Sequence, residues 1–386
     1  PHFTTFGKNY VRRFADSDIF EKIFERILLE AVNEGFVDAS AVFIDATHIK
    51  ASANNKKCTN ELVRVEAKHY QKELIEEINE DRAEHGKKPL KDDDDNDDEP
   101  PMKNIKQSTT DPECGLFHKG KHKVEFAYTA HTACDKHNFV LDANVAAGNV
   151  HDSVMFDSLY RNVLAKFPEI EMVGIDSGYL TPWIMKQIFD SGKLPATPYK
   201  RPMTKKGFFK KYEYVYDEYY DCMICPNNQV LSYSTTNREG YREYKSNPNI
   251  CKSCPYHSQC TESKNCQKIV TRHVWEDYID KAEDVRHSPE GKEIYSLRCQ
   301  TIERVFADAK EKHSMRYTHY RGLARLKMQV LLTFACMNLK KLAKWKRKNG
   351  TLPSVYLMFL LKIGIFPQII TRYWKIVFQI PRLSSV

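Results

Sequence analysis

No stretch of this sequence stays apolar for the roughly 20 residues that a membrane-spanning helix needs. The most apolar part, Val355 to Ile380, is broken by Lys362, Pro367, Arg372 and Lys375, so it is expected to pack or to ignore a bilayer. No signal-peptide pattern opens the chain, which speaks against a disulfide framework for its eleven cysteines. The acidic run Lys91 to Pro101 (KDDDDNDDEPP) lacks the spaced ligands and central glycine of a calcium loop. It is expected to be a solvated, disordered insertion. The first residue is Pro rather than Met, which suggests a natural N-terminus further upstream.

What is present is an ordinary globular mix: 386 residues, 41% hydrophobic and 28% charged, enough for two or three parts around a sizeable core. The formal net charge is +8. Seven acids lie between Asp92 and Glu99, so the rest of the chain is more cationic than that total. A cationic body carrying 21 Tyr and 20 Phe suits a polyanion, most simply nucleic acid.

Periodicity divides the chain. Pro1 to Phe14 is basic and aromatic with little period. After Asp16-Ser-Asp, helical spacing predicts an amphipathic helix from Ile19 to Asn33, closed by Gly35. Val42 to Ala51 (VFIDATHIKA) reads as a buried strand with Asp45 in its middle, where an unpaired carboxylate would cost several kcal/mol. A polar helix is expected over Glu61 to His85. Two β-rich runs follow, His122 to His131 and Asn138 to Ala146, joined by a turn at Cys134 to His137. Next come a helix to Lys166 capped by Asp152 or Ser153, and a short strand (EMVGIDSG) ending at Asp176. Lys200 to Tyr278 is aromatic and Cys-rich, with a small β structure of its own. A long helix from Ser288 to Lys310 or Lys312 and a buried one from Leu326 to Leu342 complete the pattern, which is that of a mixed α/β sheet.

Three acids stand at element positions suited to chemistry: Asp45, Asp176 and Glu303. Two carboxylates on neighbouring strands and one from a helix can hold a pair of Mg²⁺ or Mn²⁺ ions about 3.5–4 Å apart, for attack at a phosphodiester. Hard oxygen ligands favour those ions over zinc. Asp152 is a rival second acid, though its place at the start of a helix favours capping. His48, His151 and His313 lie near these motifs and are read as structural or DNA-facing.

VFIDATHIKASAN, VGIDSGYLTP and RCQTIERVFADAKEKHSMRYTHYRGL together resemble the three blocks of bacterial insertion-sequence DDE transposases, in the RNase H-like, integrase-type superfamily. The likeness runs from Pro1 to about Lys346, and the tail after Gly350 falls outside it. It implies an α/β, RNase H-like mixed sheet flanked by helices, with an acidic helical insertion and a Cys-rich β insertion. It implies Asp45, Asp176 and Glu303 as catalytic, Mg²⁺- or Mn²⁺-binding residues, with Lys310, Arg298, Arg321 and Tyr295 facing DNA. The Arg298-to-Glu303 gap is one residue longer than the family pattern. The implied partners are terminal inverted repeats and target DNA, handled by a homodimer in the bacterial cytoplasm, at the nucleoid.

The cysteines are a second signal. Cys222-Met-Ile-Cys225 and Cys251-Lys-Ser-Cys254 form two C-x-x-C pairs, a strong zinc signature. Local spacing selects those four. The same transposases carry a Cys-Pro … Cys-x-x-Cys-Pro … Cys insertion, and that resemblance selects Cys225, Cys251, Cys254 and Cys260 for a structural Zn²⁺.

The resulting division is an N-terminal helical region (1–40), a catalytic core (41–57, 115–199 and 288–345), an acidic insertion (58–114), a Cys-rich insertion (200–287) and a tail (346–386). The expected function is cut-and-paste DNA transposition. A nuclease without strand transfer and an inactive zinc-containing DNA-binding remnant stand as alternatives.

Overall fold

The computed structural model describes residues 2–14, 17–64, 70–90, 102–119 and 123–350. The acidic run and the apolar tail, both singled out above, lie outside the described residues.

The chain opens with helices α1 (Phe3–Arg13) and α2 (Ile19–Asn33) and strand β1 (Ala41–Lys50). The ribbon strand β2 (Cys58–Arg64), helix α3 (Gln71–Glu84) and β3 (Met102–Ser108) follow. Next are β4 (Gly115–Lys119), β5 (Lys123–Asp135), β6 (Val140–Ala147), α4 (Asp152–Lys166) and β7 (Met172–Ile175). Helix α5 (Pro182–Asp190) and β8 (Leu194–Ala196) complete the first half.

The main sheet has β1 at its centre. It pairs antiparallel with β5, Asp45 opposite Thr132, and parallel with β7, Ile44 opposite Ile175. Beyond β7 lies β8, also parallel. The far edge of the long β5 is shared by β4, along residues 123–127, and β6, along 128–134. The order β6-β5-β1-β7-β8, with the second strand reversed, is that of an RNase H-like mixed sheet. Val42, Phe43 and Ile44 are fully buried, as expected of a central strand between parallel and antiparallel neighbours. Close approach of strands needs a small residue at Gly174, where a Cβ would come within 2.6 Å of the Phe43 ring.

The second half forms a separate five-stranded antiparallel sheet from β9 (Val215–Asp217), β10 (Cys222–Ile224), β11 (Val230–Thr236), β12 (Tyr241–Lys245) and β13 (Ile269–His273). Short helices α6 (Pro248–Lys252) and α7 (His257–Cys260) sit between β12 and β13. Tyr214, Met223, Leu231, Tyr244 and Val270 make its small core. Asp81 of α3 fastens this sheet to the rest: it accepts from Arg242 Nε at 2.5 Å and from the Thr236 hydroxyl.

The last helices are α8 (Glu276–His287), α9 (Pro289–Ser296), α10 (Ile302–Lys312) and α11 (Leu323–Lys348). Asn338 of α11 reaches across to β6. Its amide donates to Val140 O at 2.8 Å, and its carbonyl accepts from Val140 N at 2.9 Å. Among the described residues no helix is long and apolar enough to cross a membrane.

One expectation holds to the residue, while the expected turn at Cys134 to His137 starts two residues later because β5 continues through Asp135. α2 spans Ile19–Asn33, and Gly35 takes the left-handed conformation (φ +69°) that ends it. The turn after β5 is tied by Asp135, whose buried carboxylate accepts from Asp38 N (2.8 Å) and Phe139 N (2.7 Å).

Other expectations need correction. The opening segment shows little period in the sequence, yet Phe3–Arg13 is helical, with Arg12 and Arg13 in the last turn, where cations suit the helix dipole. The helix expected over Glu61 to His85 begins only at Gln71. Cys58–Arg64 instead pairs along its length with Met102–Ser108, a long-range partner that local helical spacing cannot reveal. The cap of α4 is neither Asp152 nor Ser153. His151 Nδ1 accepts from Ser153 N at 3.2 Å, so the Asp152 side chain is released from capping. The long helix from Ser288 breaks at residues 297–300 into a 3-10 turn, with Thr301 at φ −108°, ψ −100°.

Asn338→Leu should leave both backbone groups of Val140 buried without partners, at a cost of about 2 kcal/mol or more. Thermal unfolding should show a lowered midpoint with unchanged secondary structure; an unaltered midpoint would remove the bond pair from any stabilising role.

Candidate active site

Asp45 and Asp176 meet because β1 and β7 run parallel. Their pairing ends at Ile44 opposite Ile175, so the next residue of each strand is an aspartate. Each carboxylate is steadied by the backbone that follows it. Asp45 Oδ1 accepts from Ala46 N at 2.8 Å, and Asp176 Oδ1 from Ser177 N at 2.7 Å.

Arg298 lies between them. Its Nη2 donates to Asp45 Oδ2 at 2.5 Å, and its Nη1 is 3.6 Å from Asp176 Oδ1. The break between α9 and α10 makes this possible: Arg298 sits in the 3-10 turn, two residues after the last residue of α9. The Arg298 side chain is only 6% exposed, against 19% for Asp45 and 47% for Asp176. The site therefore grades from a buried cation to an open carboxylate. Tyr295 lies beside the guanidinium, its ring centre 5.9 Å from Arg298 Cζ.

Burial pushes the Asp45 carboxyl up to about 6, against the pull of Arg298 and with a further push from Asp176 and Asp152. Asp152 is raised as well, first by burial. Its carboxylate is 3.9 Å from His131 Nδ1, on a ring that also meets the Tyr179 hydroxyl at 3.3 Å. His131 is itself almost fully buried, and burial pushes its imidazole down to about 4, so it stands neutral. In the sequence Asp152 reads as a cap, and neither His131 nor Tyr179 stands out as a site residue. β5 is buried without interruption from Phe126 to Asp135, with Thr129, His131, Thr132 and Asp135 as its buried polar residues, so alternation alone does not single His131 out.

Glu303 is in the first turn of α10 and exposed. Seven residues on, Lys310 lines an open cleft of about 460 Å³ with Thr47, His48, Phe117, Arg316 and Tyr317. His48 stacks on Phe117, ring centres 3.4 Å apart. Arg321 is exposed, and its Nε donates to Ser52 O at 3.2 Å, just past the end of β1. The neighbouring Gly322 is required by geometry: it has φ +89°, and its N–H donates to Asp111 Oδ1 at 3.1 Å. His313 ends α10.

The cysteines form a second place. Cys225, Cys251, Cys254 and Cys260 line one cavity of about 30 Å³ together with His257. Cys222 and Cys266 are not among its walls. Asn228, at φ +53°, turns the chain so that Gln229 N donates to Cys225 Sγ at 3.4 Å. The Tyr214 hydroxyl lies 3.3 Å from Cys260 Sγ, and burial raises that thiol above its ordinary range. The Nε2 of His257 is buried without a hydrogen-bond partner.

In kind, both donor sets suit metals: hard carboxylates at the sheet, soft thiols around the small cavity. As the side chains stand, no three His, Cys, Asp or Glu among the described residues are close enough together to hold an ion. At the sheet, the cationic position between the aspartates is filled by the guanidinium.

A family model described as Transposase DDE domain matches residues 224–343, a span that includes Glu303 and α10. No curated protein and no solved structure matches the chain.

The raised Asp45 means that the folded state holds a proton the unfolded chain would release. Its contribution to stability is full below about pH 4 and is lost as pH rises through about 6. A carboxyl-carbon NMR titration should place the Asp45 midpoint near 6. In Arg298→Met the midpoint should move higher, because the largest influence holding it down is gone; a midpoint that stays put would contradict the ion pair.

Proposed function

We propose that this chain, a transposase by its DDE-domain match, cuts DNA at terminal inverted repeats and joins the freed 3′-hydroxyls to target DNA. The observation that carries the reading is the pair of aspartates at the ends of adjacent parallel strands, organised around one cation beside the helix that bears Glu303.

Transposases of this kind act on DNA and generally use divalent metal ions. In this reading Asp45 and Asp176 would hold the metal, with Glu303 completing the set from α10, once Arg298 gives up the place between the aspartates that it fills here. When bound, it would supply charge to offset the phosphodiester and lower the pKa of an attacking water or 3′-hydroxyl. The chain's own residues do the remainder. Arg298 keeps two neighbouring carboxylates from repelling one another and anchors the turn that leads into α10. Lys310 and Arg316, in the open cleft beside β1, offer cations to the phosphates flanking the scissile bond. Arg321 extends that line at the end of β1. A homodimer would bring two DNA ends together. The Cys225, Cys251, Cys254 and Cys260 set would hold a structural Zn²⁺ that stiffens the smaller sheet.

The direct test is cleavage of duplex DNA bearing the flanking repeats, with Mg²⁺ or Mn²⁺. Asp45→Ala and Glu303→Gln should each lower cutting by roughly 10²-fold or more while duplex binding persists. Equal cutting by wild type and both variants would reject the assignment; cutting without joined products would favour a nuclease.

Zinc content offers a separate check. The purified chain should carry close to one equivalent by elemental analysis, and Cys254→Ser should lose it and melt at a lower temperature. A metal-free wild type of normal stability would reduce these cysteines to packing.

A further inference from the structure

Helix α10 has two sides of different character. Glu303 and Lys310, seven residues apart, share one stripe, and Lys310 lines the open cleft beside β1. Arg304, Asp308 and Lys312 follow one another at four-residue spacing on another stripe. That second stripe faces α11 across a cleft of about 300 Å³, to which α11 contributes Lys340, Lys341 and Lys344.

Five cations thus surround one acid. Asp308 is taken up by Lys312, 2.7 Å away on the same helix. Arg304, Lys340 and Lys344 are exposed and form no ion pair with any described acid. Lys341 forms the floor, its ammonium donating to His137 O and lying over the Phe139 ring at 5.1 Å. Burial depresses Lys341 to about 8. Packing this much like charge along two helices costs stability and contributes nothing to the core. A polyanion laid in the cleft would relieve the repulsion and release counterions.

We propose that this cleft is a second DNA-binding surface, gripping duplex phosphates on the side of α10 turned away from the candidate active site. The proposal rests on the transposase reading for the choice of DNA as the polyanion. Lysine and arginine ammonium and guanidinium groups on an open wall meet phosphate oxygens, which carry no sequence information, so the proposed contact is to the backbone and independent of sequence. Lys340 and Lys344, one helical turn apart, and Arg304 opposite them would straddle the backbone, with Lys341 beneath. Duplex held here and duplex held along Lys310 lie on two sides of one helix. The arrangement suits a protein that keeps a second segment of DNA close to the one being cut.

The test is fluorescence anisotropy of a labelled duplex of arbitrary sequence, titrated with the full chain at several salt concentrations. The double variant Lys340→Gln/Lys344→Gln should bind about tenfold or more weakly near 0.1 M salt. Its slope of log affinity against log salt should be shallower by about 2, at roughly 0.9 for each lost phosphate contact. Arg304→Gln should remove about one more. All these positions are exposed, so circular dichroism and thermal melting should match wild type. On a repeat-bearing substrate the variants should show a raised KM with unchanged kcat.

Wild type and variants binding duplex with equal affinity and slope would overturn the cleft alone. A wild type that binds no duplex would overturn the cleft and the transposase reading together. Loss of thermal stabilisation by pyrophosphate in the variants, with duplex binding intact, would make the cleft a small-anion site and also overturn the proposal.

Discussion

The guanidinium of Arg298 is the interaction on which the candidate site depends. Two aspartates at the ends of parallel strands repel, and the buried one has little water to solvate its charge. A single buried cation touching both resolves the conflict only if it is delivered from outside the sheet. The 3-10 turn between α9 and α10 delivers it. Removing either partner of such a pair leaves an uncompensated charge, which is why buried pairs are costly to break even where they add little net stability. The same contact fixes where α10 begins, and hence where Glu303 and Lys310 stand relative to β1.

The packing around this pair follows from the same geometry. β1 is apolar up to Ile44 because both of its neighbours bury it, and it turns polar where the pairing with β7 stops. α11 is held to β6 through the paired bonds of Asn338, with α2 alongside it tied by Lys346, which meets both Glu30 (2.7 Å) and Glu34 (2.8 Å). α10 is thereby set between the sheet and α11, with a different charged stripe toward each. The smaller sheet is fastened at a distance, through Asp81 and Arg242, and carries its thiols around its own cavity.

Much of this was legible beforehand where local chemistry suffices. The apolar run before Asp45, the matching run before Asp176 and the amphipathic α2 with its closing glycine all announce themselves. Partners distant in the chain were not legible. Cys58–Arg64 is a strand because of residues 102–108, and no property of its own seven residues says so. His151 displaced Asp152 as a cap because its ring nitrogen happens to reach Ser153 N. The long helical period from Ser288 hid a break, at which the chain carries Arg298 to Asp45 and Asp176.

By itself, the sequence determined which residues have the chemistry: paired acids after apolar strands, a basic and aromatic body, a knot of cysteines, a helix with an acid and a lysine seven apart. Those are properties of residue type and spacing, and they survive without coordinates. Only the tertiary structure decided which of them meet. It put Arg298 rather than Glu303 between the two aspartates, brought Asp152 and His131 to the same corner, and gathered into one cavity the four cysteines that the resemblance, and not local spacing, had selected. The reason is physical. Burial and charge pairing act between side chains up to hundreds of residues apart, and their strength depends on distances that the order of residues does not contain.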